Sequence, residues 1–425
     1  MGGRASLILV IGFTFIFMIA GRNFNSTATA TIDNYTKYYY STKCRNMASS
    51  GINLVNNFLW KNGGIADRTY SFSFDGGTIT DSLVTLDQIQ NIKKIVSIGK
   101  ITLGDGTIYS STSKVIIKPS LFSKFAYFSN DETPNGSTIY WASKDTVFGP
   151  MHTNDNLNIS GNPVFEGSVT IGGTVNKANG SNDHPQFQEG LQTNVQIGIP
   201  DTGVSHVARY AASTAKFTGH SLVYFEFRGD KNNGDSIRYR YSTSGTGSTW
   251  TYKLASTFAP NGVIYFQNAE VHVSGVVKGR YSLAVDNTAT STNLGSFYID
   301  NDITYKTDPT TPNSTSTDML GLLAYNNVWI TDNDANSGNV NVQASIYCQK
   351  GSFGAQNYDT RSIDGFINLY GGITQNIRGA VGTLASNGSI KTGYNKRYKY
   401  DSRLQTTYPP FYPGCGTYQI VSWFE

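Results

Sequence analysis

Charge, cysteine and proline are all scarce in this chain of 425 residues. Charged residues make up 15% of it, against about 25% in soluble globular domains. The net charge is +4 and no stretch forms a basic stripe, which excludes an ordinary nucleic-acid-binding protein. The three cysteines lack CxxC or Cys/His spacing, which excludes the common zinc motifs. One disulfide at most can form; we expect it between Cys348 and Cys415, with buried free thiols as the alternative.

Catalytic motifs are missing as well. The sequence contains no GxSxG, Walker A, GxGxxG or HExxH pattern, the short motifs that carry most recognisable chemistry. Its five histidines are scattered. His152, beside Asn154 and Asp155, is the one that its setting singles out, and a structural role is the commoner explanation for such a residue. We therefore predict that the chain is not an enzyme and needs no cofactor.

One turn rich in Asp and Asn resembles a cation loop. Asp332, Asp334, Asn336 and Gly338 follow the D-x-D-x-N-x-G order of a calcium loop, in which side-chain oxygens at alternate positions bind the ion. Gln343 occupies the twelfth place, where a bidentate Glu would close the shell. Calcium held by the first three residues is one prediction, and an ordinary Asn/Asp turn is the other.

Long hydrophobic runs are absent except at the N-terminus. The seventeen residues from Ala5 to Gly21 carry no charge and lie between Arg4 and Arg22. As a helix they would span about 26 Å, which is marginal for a bilayer. A helix that is apolar on every side must be surrounded by lipid or by copies of itself. The run is therefore a discarded signal, a permanent anchor or the core of an assembly.

Helical spacing continues beyond the apolar run. Apolar residues recur every three or four positions to about residue 59, no proline interrupts residues 1–62, and Gly63 and Gly64 follow. This pattern predicts a helix that is apolar over 5–21 and amphipathic over 22–62, with the two glycines as its end. Residues 25–31 (NSTATAT) are weak helix formers, so a local melt or kink there is an alternative to an unbroken helix.

The remainder of the chain is rich in Tyr, Phe and Gly, which number 27, 23 and 44. Short alternating apolar runs broken by Gly and Asn recur at 157–175 and 261–285. These patterns predict an α+β protein, with a long N-terminal α-helix and a right-handed parallel β-helix that carries a β-rich insertion. A β-sandwich is the alternative. The predicted domains are 1–62 (helix), 63–148 (a β-rich layer packed near the helix), 149–176 with 261–400 (the β-helix), 177–260 (the insertion) and 401–425 (a Tyr/Pro-rich segment).

The N-terminal segment resembles the type IV pilin class. The match rests on the apolar start "ASLILVIGF" and on an aromatic residue followed by small residues near the end of the helix, at Tyr40, Ala48, Ser49, Gly51 and Ile52. The resemblance implies a helix that first sits in the inner membrane and then packs in a filament core. The chain departs from the class because no acidic residue precedes Asp33 and only Met1-Gly2-Gly3 could serve as a leader.

A second resemblance covers residues 149–175 and 261–425. Segments such as "DMLGLLAYNNVWI" and "GSFGAQN" look like an uncharacterised bacterial family with a pilin-like stem and a solenoid body. The family ends in a Tyr-Asp-x-Arg-Leu…Pro-Pro segment. This resemblance implies an architecture and no reaction. In this chain the matching residues are Tyr400, Asp401, Arg403, Leu404, Pro409 and Pro410.

We predict from these features a structural subunit of an extracellular filament on the bacterial surface. Its expected partners are identical subunits, the inner membrane before assembly, a prepilin peptidase and the pilus secretion machinery. The side chains expected to pack in the filament core are Leu7, Ile8, Val10, Ile11, Phe13, Phe15, Phe17, Met18, Ile19, Phe24 and Ile32.

Two other functions remain open. A membrane-tethered adhesin would keep the helix as an anchor and bind surface glycans through aromatic side chains, for which Tyr408, Phe411, Tyr412 and Trp423 are the candidates. A solenoid enzyme that cleaves polysaccharide ranks below it, because the strand-like segments present Asn, Ser, Thr and Tyr in place of clustered carboxylates.

Overall fold

The structure is a computed structural model, and it describes residues 2–61, 66–143, 145–231, 235–243, 246–247, 249–289, 291, 293–385 and 390–424. The chain forms two compact units. The first comprises Met1–Lys118 with Tyr418–Glu425, and the second comprises Pro119–Thr417.

The first unit contains one long helix and an antiparallel sheet. The sheet has the strand order β1-β2-β3-β4-β31, and the pairs β1–β2, β2–β3 and β3–β4 are antiparallel. Gly63 and Gly64, the expected helix end, lie outside the described residues. The elements are α1 Gly2–Lys61, β1 Arg68–Phe74, β2 Gly77–Asp87, β3 Ile92–Thr102, β4 Ile108–Leu121 and β31 Gly414–Phe424, the last two of which continue into the second unit.

The second half of α1 packs on the sheet. Cys44, Met47 and Ile52 point into this contact and are at most 2% exposed, which follows from their spacing of three to five residues. Gly99 in β3 lets the helix approach closely, since a Cβ there would overlap the carbonyl oxygen of Cys44. Gly51 does the same from the helix side, where a Cβ would overlap the Ser97 side chain.

We expect Gly99→Ala to lower the free energy of unfolding by about 1–3 kcal/mol, because the added methyl group meets rigid helix backbone. Gly104→Ala is the matched control, since a Cβ at Gly104 has nothing within 4 Å. Urea titration of the full chain in detergent, followed by tryptophan fluorescence, measures both. Equal stability of the two variants would show that the helix does not need this close approach.

The second unit is built from short strands with a single short helix. Its 3₁₀ turns are Phe122–Lys124, Pro134–Gly136, Gly180–Asn182, Ser205–Arg209, Ser213–Ala215, Asp334–Asn336 and Ser402–Gln405. Its other elements are β5 Tyr127–Asp131, β6 Trp141–Ala142, β7 Thr146–Val147, β8 Met151–Thr153, β9 Leu157–Ser160, β10 Val164–Phe165, β11 Val169–Ile171, β12 Val175–Lys177, β13 Gln186–Phe187, β14 Leu191–Gln192, β15 Lys216–Phe217, β16 Leu222–Arg228, β17 Ile237–Thr243, β18 Thr246–Gly247, β19 Thr251–Lys253, α2 Ala255–Phe258, β20 Val263–Gln267, β21 Glu270–Val277, β22 Arg280–Asp286, β23 Ser296–Tyr305, β24 Met319–Ala324, β25 Val328–Ile330, β26 Val340–Cys348, β27 Phe353–Ala355, β28 Ile363–Ile377, β29 Gly382–Leu384 and β30 Ile390–Tyr400.

Parallel pairing dominates this unit. The longest series, which we call the main ladder, runs β15-β20-β22-β24-β26-β28-β5-β8-β11-β14, and every neighbouring pair in it is parallel. A second series runs β16-β21-β23-β25-β27 and is also parallel. Side chains alternate along these strands: in β16, Val223, Phe225 and Phe227 are buried and the residues between them are half-buried. Most of the buried apolar residues form one core, and a second buried cluster contains Val263, Leu323 and Tyr347.

Three parallel pairs share one spacing. Met151 pairs with Val169, Val147 with Phe165, and Leu157 with Val175, so each pair joins residues 18 positions apart. The common offset shows that three successive strands of this region return to the same register after 18 residues. The next pair, Val169 with Leu191, is 22 positions apart.

The order of strands in the main ladder differs from their order in the chain. Strands β5 to β14 stack in one direction, after which residues 193–215 run back beside the ladder. Val195 N donates to Ile171 O (2.9 Å), and Val204 N donates to the Gln349 side chain (2.8 Å). Strands β15 to β28 then stack until β28 lies beside β5. The two chain segments therefore meet in the middle of the ladder.

A buried ion pair lies at this junction. Arg378 Nη1 donates to Glu132 Oε2 at 2.6 Å, and neither side chain is more than 3% exposed. Tyr127 Oη donates to the second Glu132 oxygen at 3.0 Å, and the Arg378 guanidinium lies 4.3 Å from the ring centre of Trp141. Burial without a partner would leave either charge with a large desolvation cost, so each residue requires the other.

Arg378→Met should therefore lower the free energy of unfolding by about 3–5 kcal/mol, because Glu132 would remain buried without its cation. The double variant Arg378→Met with Glu132→Gln removes both charges and should recover most of that loss. Denaturant titration of the full chain provides the comparison. If the double variant is no more stable than Arg378→Met, the junction does not depend on the ion pair.

The prediction of a long N-terminal helix followed by a β-rich body is confirmed, and the fold class is α+β. The helix is continuous through residues 25–31. A right-handed parallel β-helix stays a prediction at this point, and so do the five domain boundaries drawn from the sequence.

Candidate assembly surface

The first part of α1 has no cover within its own chain. From Gly3 to Lys43 no residue is buried, and Cys44 is the first that is. We call residues 3–39 the exposed segment; as a helix its 37 residues extend about 55 Å. The eleven side chains predicted to pack in a filament core all lie on it, and their exposed fractions run from 48% at Ile11 to 78% at Phe24.

Sequence reasoning missed several members of this surface. Leu9 and Ile16 are 60% and 62% exposed. Both lie inside the same uncharged run, and their place in that run was the sequence signal that could have added them to the predicted set. Tyr35, Tyr38 and Tyr39 continue the apolar surface towards the sheet and are also exposed. The surface is therefore wider than a single stripe of the helix.

The exposed segment stays helical through its weakest stretch for a local reason. Thr29 Oγ1 donates to the carbonyl oxygen of Asn25 (2.9 Å), and Thr31 Oγ1 donates to that of Thr27 (2.8 Å). A threonine hydroxyl that bonds the preceding turn has its hydrogen bond satisfied without water. These polar residues can consequently face an apolar neighbour.

Charges on the exposed segment are few. Arg4, Arg22, Asp33 and Lys37 are its charged residues, all four are exposed, and the described part of the chain supplies no ion pair to any of them. An unpaired charge in water costs little, but the same charge enclosed by apolar side chains costs several kcal/mol.

A groove of about 360 Å³ adjoins the end of the exposed segment. It lies between α1 and the β1–β2 turn, where Tyr38, Tyr39 and Phe74 supply aromatic walls. Lys43 and Asp75 form an ion pair at its edge (3.2 Å). The groove is therefore a largely aromatic depression with a neutral rim.

The residues that carry the pilin resemblance lie where α1 meets the sheet. Tyr40 stacks on Tyr109 with ring centres 5.1 Å apart. Ala48 and Ile52 are buried, and Gly51 sits over Ser97. These residues hold the helix to the sheet and leave residues 3–39 free for other contacts.

Part of α1 is long and apolar enough to cross a membrane by length and composition, and none of that window is buried in the structure. Its flanks are the basic residues Arg4 and Arg22. Both a lipid environment and a bundle of identical helices would satisfy such a surface.

Two of the three residues predicted to bind calcium, Asp332 and Asn336, make side-chain contacts within the protein. Asn336 is 1% exposed, and its amide donates to the carbonyl oxygens of Ile299 and Thr331. Asp332 Oδ1 lies 3.7 Å from an Arg361 guanidinium nitrogen. Within the described residues no group of three or more His, Cys, Asp or Glu side chains could hold a metal ion. Calcium here stays a prediction.

The cysteines and C-terminal aromatic residues have other surroundings than expected. Cys348 and Cys415 are separate free thiols, burial raises the pKa of both thiols, and the disulfide stays a prediction.

Tyr408 and Tyr412, two of the predicted aromatic residues, are each 4% exposed. Both rings face a buried cluster, and the glycan-binding role of Tyr408, Phe411, Tyr412 and Trp423 stays a prediction.

Phe411, the remaining member of that set, stacks on Tyr210 with ring centres 3.9 Å apart. This contact joins the C-terminal segment to the return segment 193–215. Tyr412 Oη accepts a hydrogen bond from Ser345 Oγ (2.9 Å). Phe411 and Tyr412 of the Tyr/Pro-rich segment thus pack on the second unit, which sequence reasoning missed because nothing local signals a packing partner so far away in the chain.

His152 is a buried histidine with a full set of partners. Nδ1 lies 2.7 Å from Thr170 Oγ1 and Nε2 lies 2.8 Å from Asn154 Oδ1. Burial lowers its pKa, and the ring packs against Phe125 and Phe128. The geometry agrees with a structural role. The prediction that the chain is not an enzyme stays a prediction.

A second histidine, not singled out by the sequence, lies in a network of charges. Nδ1–H of His272 donates to Asp300 (2.8 Å) and Nε2–H donates to Glu270 (3.0 Å), while Tyr224 and Tyr298 flank the ring. Burial opposes its protonation, but the hydrogen bonds and charges of Asp300 and Glu270 outweigh burial and raise the pKa of His272 to about 9. Protonated His272 therefore links strands β21 and β23.

This raised pKa predicts a pH-dependent stability. The protonated form is favoured by folding, so its contribution is present in full below the unfolded pKa of about 6.5 and is lost as pH rises through about 9. The upper bound is about 3 kcal/mol. We expect the difference in free energy of unfolding between the unmodified chain and His272→Gln to shrink by that order between about pH 6 and pH 10. A difference that does not change with pH would contradict the charged link.

Comparison with known proteins gives limited similarity. A family described as "Domain of unknown function (DUF4900)" matches residues 99–174, which run from the end of β3 to just beyond β11. No curated protein matches the chain. Among solved structures, the competence-associated pilin ComZ from Thermus thermophilus is similar with a TM-score of 0.34 and 11% sequence identity, over 90% of this chain and 97% of that one. This TM-score is too low to establish a shared fold.

Proposed function

We propose that the chain is a structural subunit of an extracellular type IV pilus-like filament and polymerises through α1. The observation that carries the proposal is the exposed segment, whose large apolar side chains have no cover within the chain from residue 3 to residue 39. The pilin resemblance of the N-terminal sequence supports the same function.

The driving force is burial of apolar surface. Complete burial of one large apolar side chain stabilises by about 1.5–3 kcal/mol, and the exposed segment offers more than ten of them. Parallel copies that are displaced along the filament axis meet through two different stretches of the same helix, so the contact is heterologous. A heterologous contact that does not close into a ring generates an open helical filament.

Membrane insertion precedes assembly in this proposal. The apolar run first resides in the inner membrane, with the N-terminus on the cytoplasmic side. A prepilin peptidase and a pilus secretion machinery then process and extract the subunit. The β-rich unit is carried outside the cell.

For the β-rich unit we propose a right-handed parallel β-helix. The parallel pairing throughout the main ladder and the shared 18-residue offset of three strand pairs support it. Handedness follows from the rule that connections between parallel strands are right-handed in about 98% of cases. An experimental structure that showed a sandwich of antiparallel sheets would contradict this architecture.

A membrane-tethered adhesin is the second candidate, favoured by the window of α1 that could span a membrane. In that case the helix remains in lipid, and surface glycans would be the ligand. Detergent separates the two functions, because an anchored monomer dissolves whereas a filament remains sedimentable.

Phe13→Asp should abolish filaments, because it places a charge in the centre of the surface that must be enclosed. Phe13→Leu, which keeps the surface apolar, is the matched control and should assemble as the unmodified chain does. Electron microscopy of sheared cell-surface material, with immunogold against the chain, measures the outcome. Normal filaments from Phe13→Asp, or only detergent-soluble monomers from the unmodified chain, would refute the proposal.

A further inference from the structure

The exposed segment carries a charge pattern that one chain does not satisfy. Asp33 is its single acidic residue, and Lys37, one turn further on, makes no ion pair with it in the described structure. Arg22 precedes Asp33 by eleven residues, which is about 16.5 Å along the helix axis. Two side chains of one straight helix do not bridge that separation.

Assembly changes the environment of Arg22. It adjoins the uncharged run that ends at Gly21, so a filament core that encloses this run removes Arg22 from water. A charge enclosed without a partner costs several kcal/mol. Among residues 3–39 of a neighbouring copy, Asp33 is the one side chain that can supply the opposite charge.

A particular axial offset brings the two charges together. If a parallel neighbour is displaced by eleven residues, its Arg22 lies level with Asp33. Eleven residues are about three helical turns, with a remainder of about 20°. Arg22 and Asp33 therefore lie on nearly the same side of one helix, and they face each other when the neighbouring subunit is also rotated by about half a turn about the filament axis.

The same offset also places bulky side chains of one copy beside small side chains of the next. It places residues 14–20 of one copy (TFIFMIA) level with residues 25–31 of the next (NSTATAT). Small residues permit close approach of two helices, and bulky side chains of the neighbour then fill the space. The hydroxyls of Thr29 and Thr31 are already bonded within the helix, so the apolar contact leaves neither unsatisfied.

Arg4 is the alternative partner of Asp33, with an offset of 29 residues. It would place residues 14–20 level with residues 43–49. Several of these, such as Cys44 and Met47, are already buried against the sheet of their own chain. With that offset, residues 14–20 would have less exposed surface of the neighbouring helix to pack against than with the offset of eleven residues.

We infer that adjacent subunits pack with parallel α1 helices offset by about eleven residues, with Arg22 of one subunit paired to Asp33 of the next. This inference rests on the proposed function. The binding partner is a second copy of this chain, and the paired charges set the register that apolar contacts alone leave free.

Charge reversal tests the pair. Asp33→Arg and Arg22→Asp should each reduce filament yield at least about tenfold, since each places like charges together. The double variant should restore the yield to within about twofold of the unmodified chain. Lys253→Glu, a reversal of equal size at a solvent-exposed position outside the residue range 3–39, is the control and should leave the yield unchanged. No recovery in the double variant, or recovery of Asp33→Arg by Arg4→Asp, would overturn the pairing.

Cysteine cross-linking measures the offset independently of charge. Full chains carrying Ile19→Cys with Ala30→Cys place the two thiols eleven residues apart, and oxidised filaments should give a ladder of covalent oligomers on non-reducing gels. Ile19→Cys with Ser26→Cys, and Ile19→Cys with Lys37→Cys, are controls with offsets of seven and eighteen residues. Both offsets are also close to whole numbers of turns.

The outcomes separate this inference from the proposed function. A ladder from the eleven-residue pair alone supports the offset. A ladder from either control, or filaments that give no ladder from any pair, contradicts the offset and leaves the filament function intact. Absence of filaments from the unmodified chain contradicts both.

Discussion

The structure depends on one constraint: the first 37 described residues after Gly2 form a helix whose apolar side chains have nothing of their own chain to pack against. Hydrophobic burial is the main favourable contribution to folding and association, so a surface of this kind is stable only inside another environment. A lipid bilayer and a bundle of identical helices from other copies are both environments of this kind. The absence of any buried residue before Cys44 is what makes α1 an element for assembly in the proposed function, rather than a core helix of a globular domain.

The two parts of α1 therefore have different roles. Beyond Cys44 it is held by close backbone approach at Gly51 and Gly99, and by buried side chains every three to five residues. Before Cys44 it presents the surface that remains. Because the anchoring contacts end where the exposed segment begins, substitutions in the first part change what the helix meets outside the chain without disturbing the sheet. The β-rich unit is stabilised separately, through its own continuous core and the buried Arg378–Glu132 pair.

Local pattern was sufficient for features that depend on near neighbours. The long N-terminal helix and the apolar set from Leu7 to Ile32 follow from residue spacing, which acts over a few positions. The burial of Tyr408 and Tyr412 did not follow from local pattern, since burial depends on what the rest of the chain brings alongside. The hydrogen bonds of His272 could not be predicted from local pattern for the same reason. Asp300 is 28 residues away, and the two residues become neighbours only because their strands pair.

The sequence alone determined the length and apolar character of α1, the scarcity of charge on its exposed segment and the β-rich nature of the remainder, because periodicity and composition are properties of adjacent residues. Tertiary structure decided that the segments starting at β5 and at β15 stack towards each other and meet at β28. It also decided that residues 193–215 return beside the ladder and that Glu132 finds Arg378. Pairings between residues more than 200 positions apart arise from the relative free energies of alternative stackings, which no local pattern encodes.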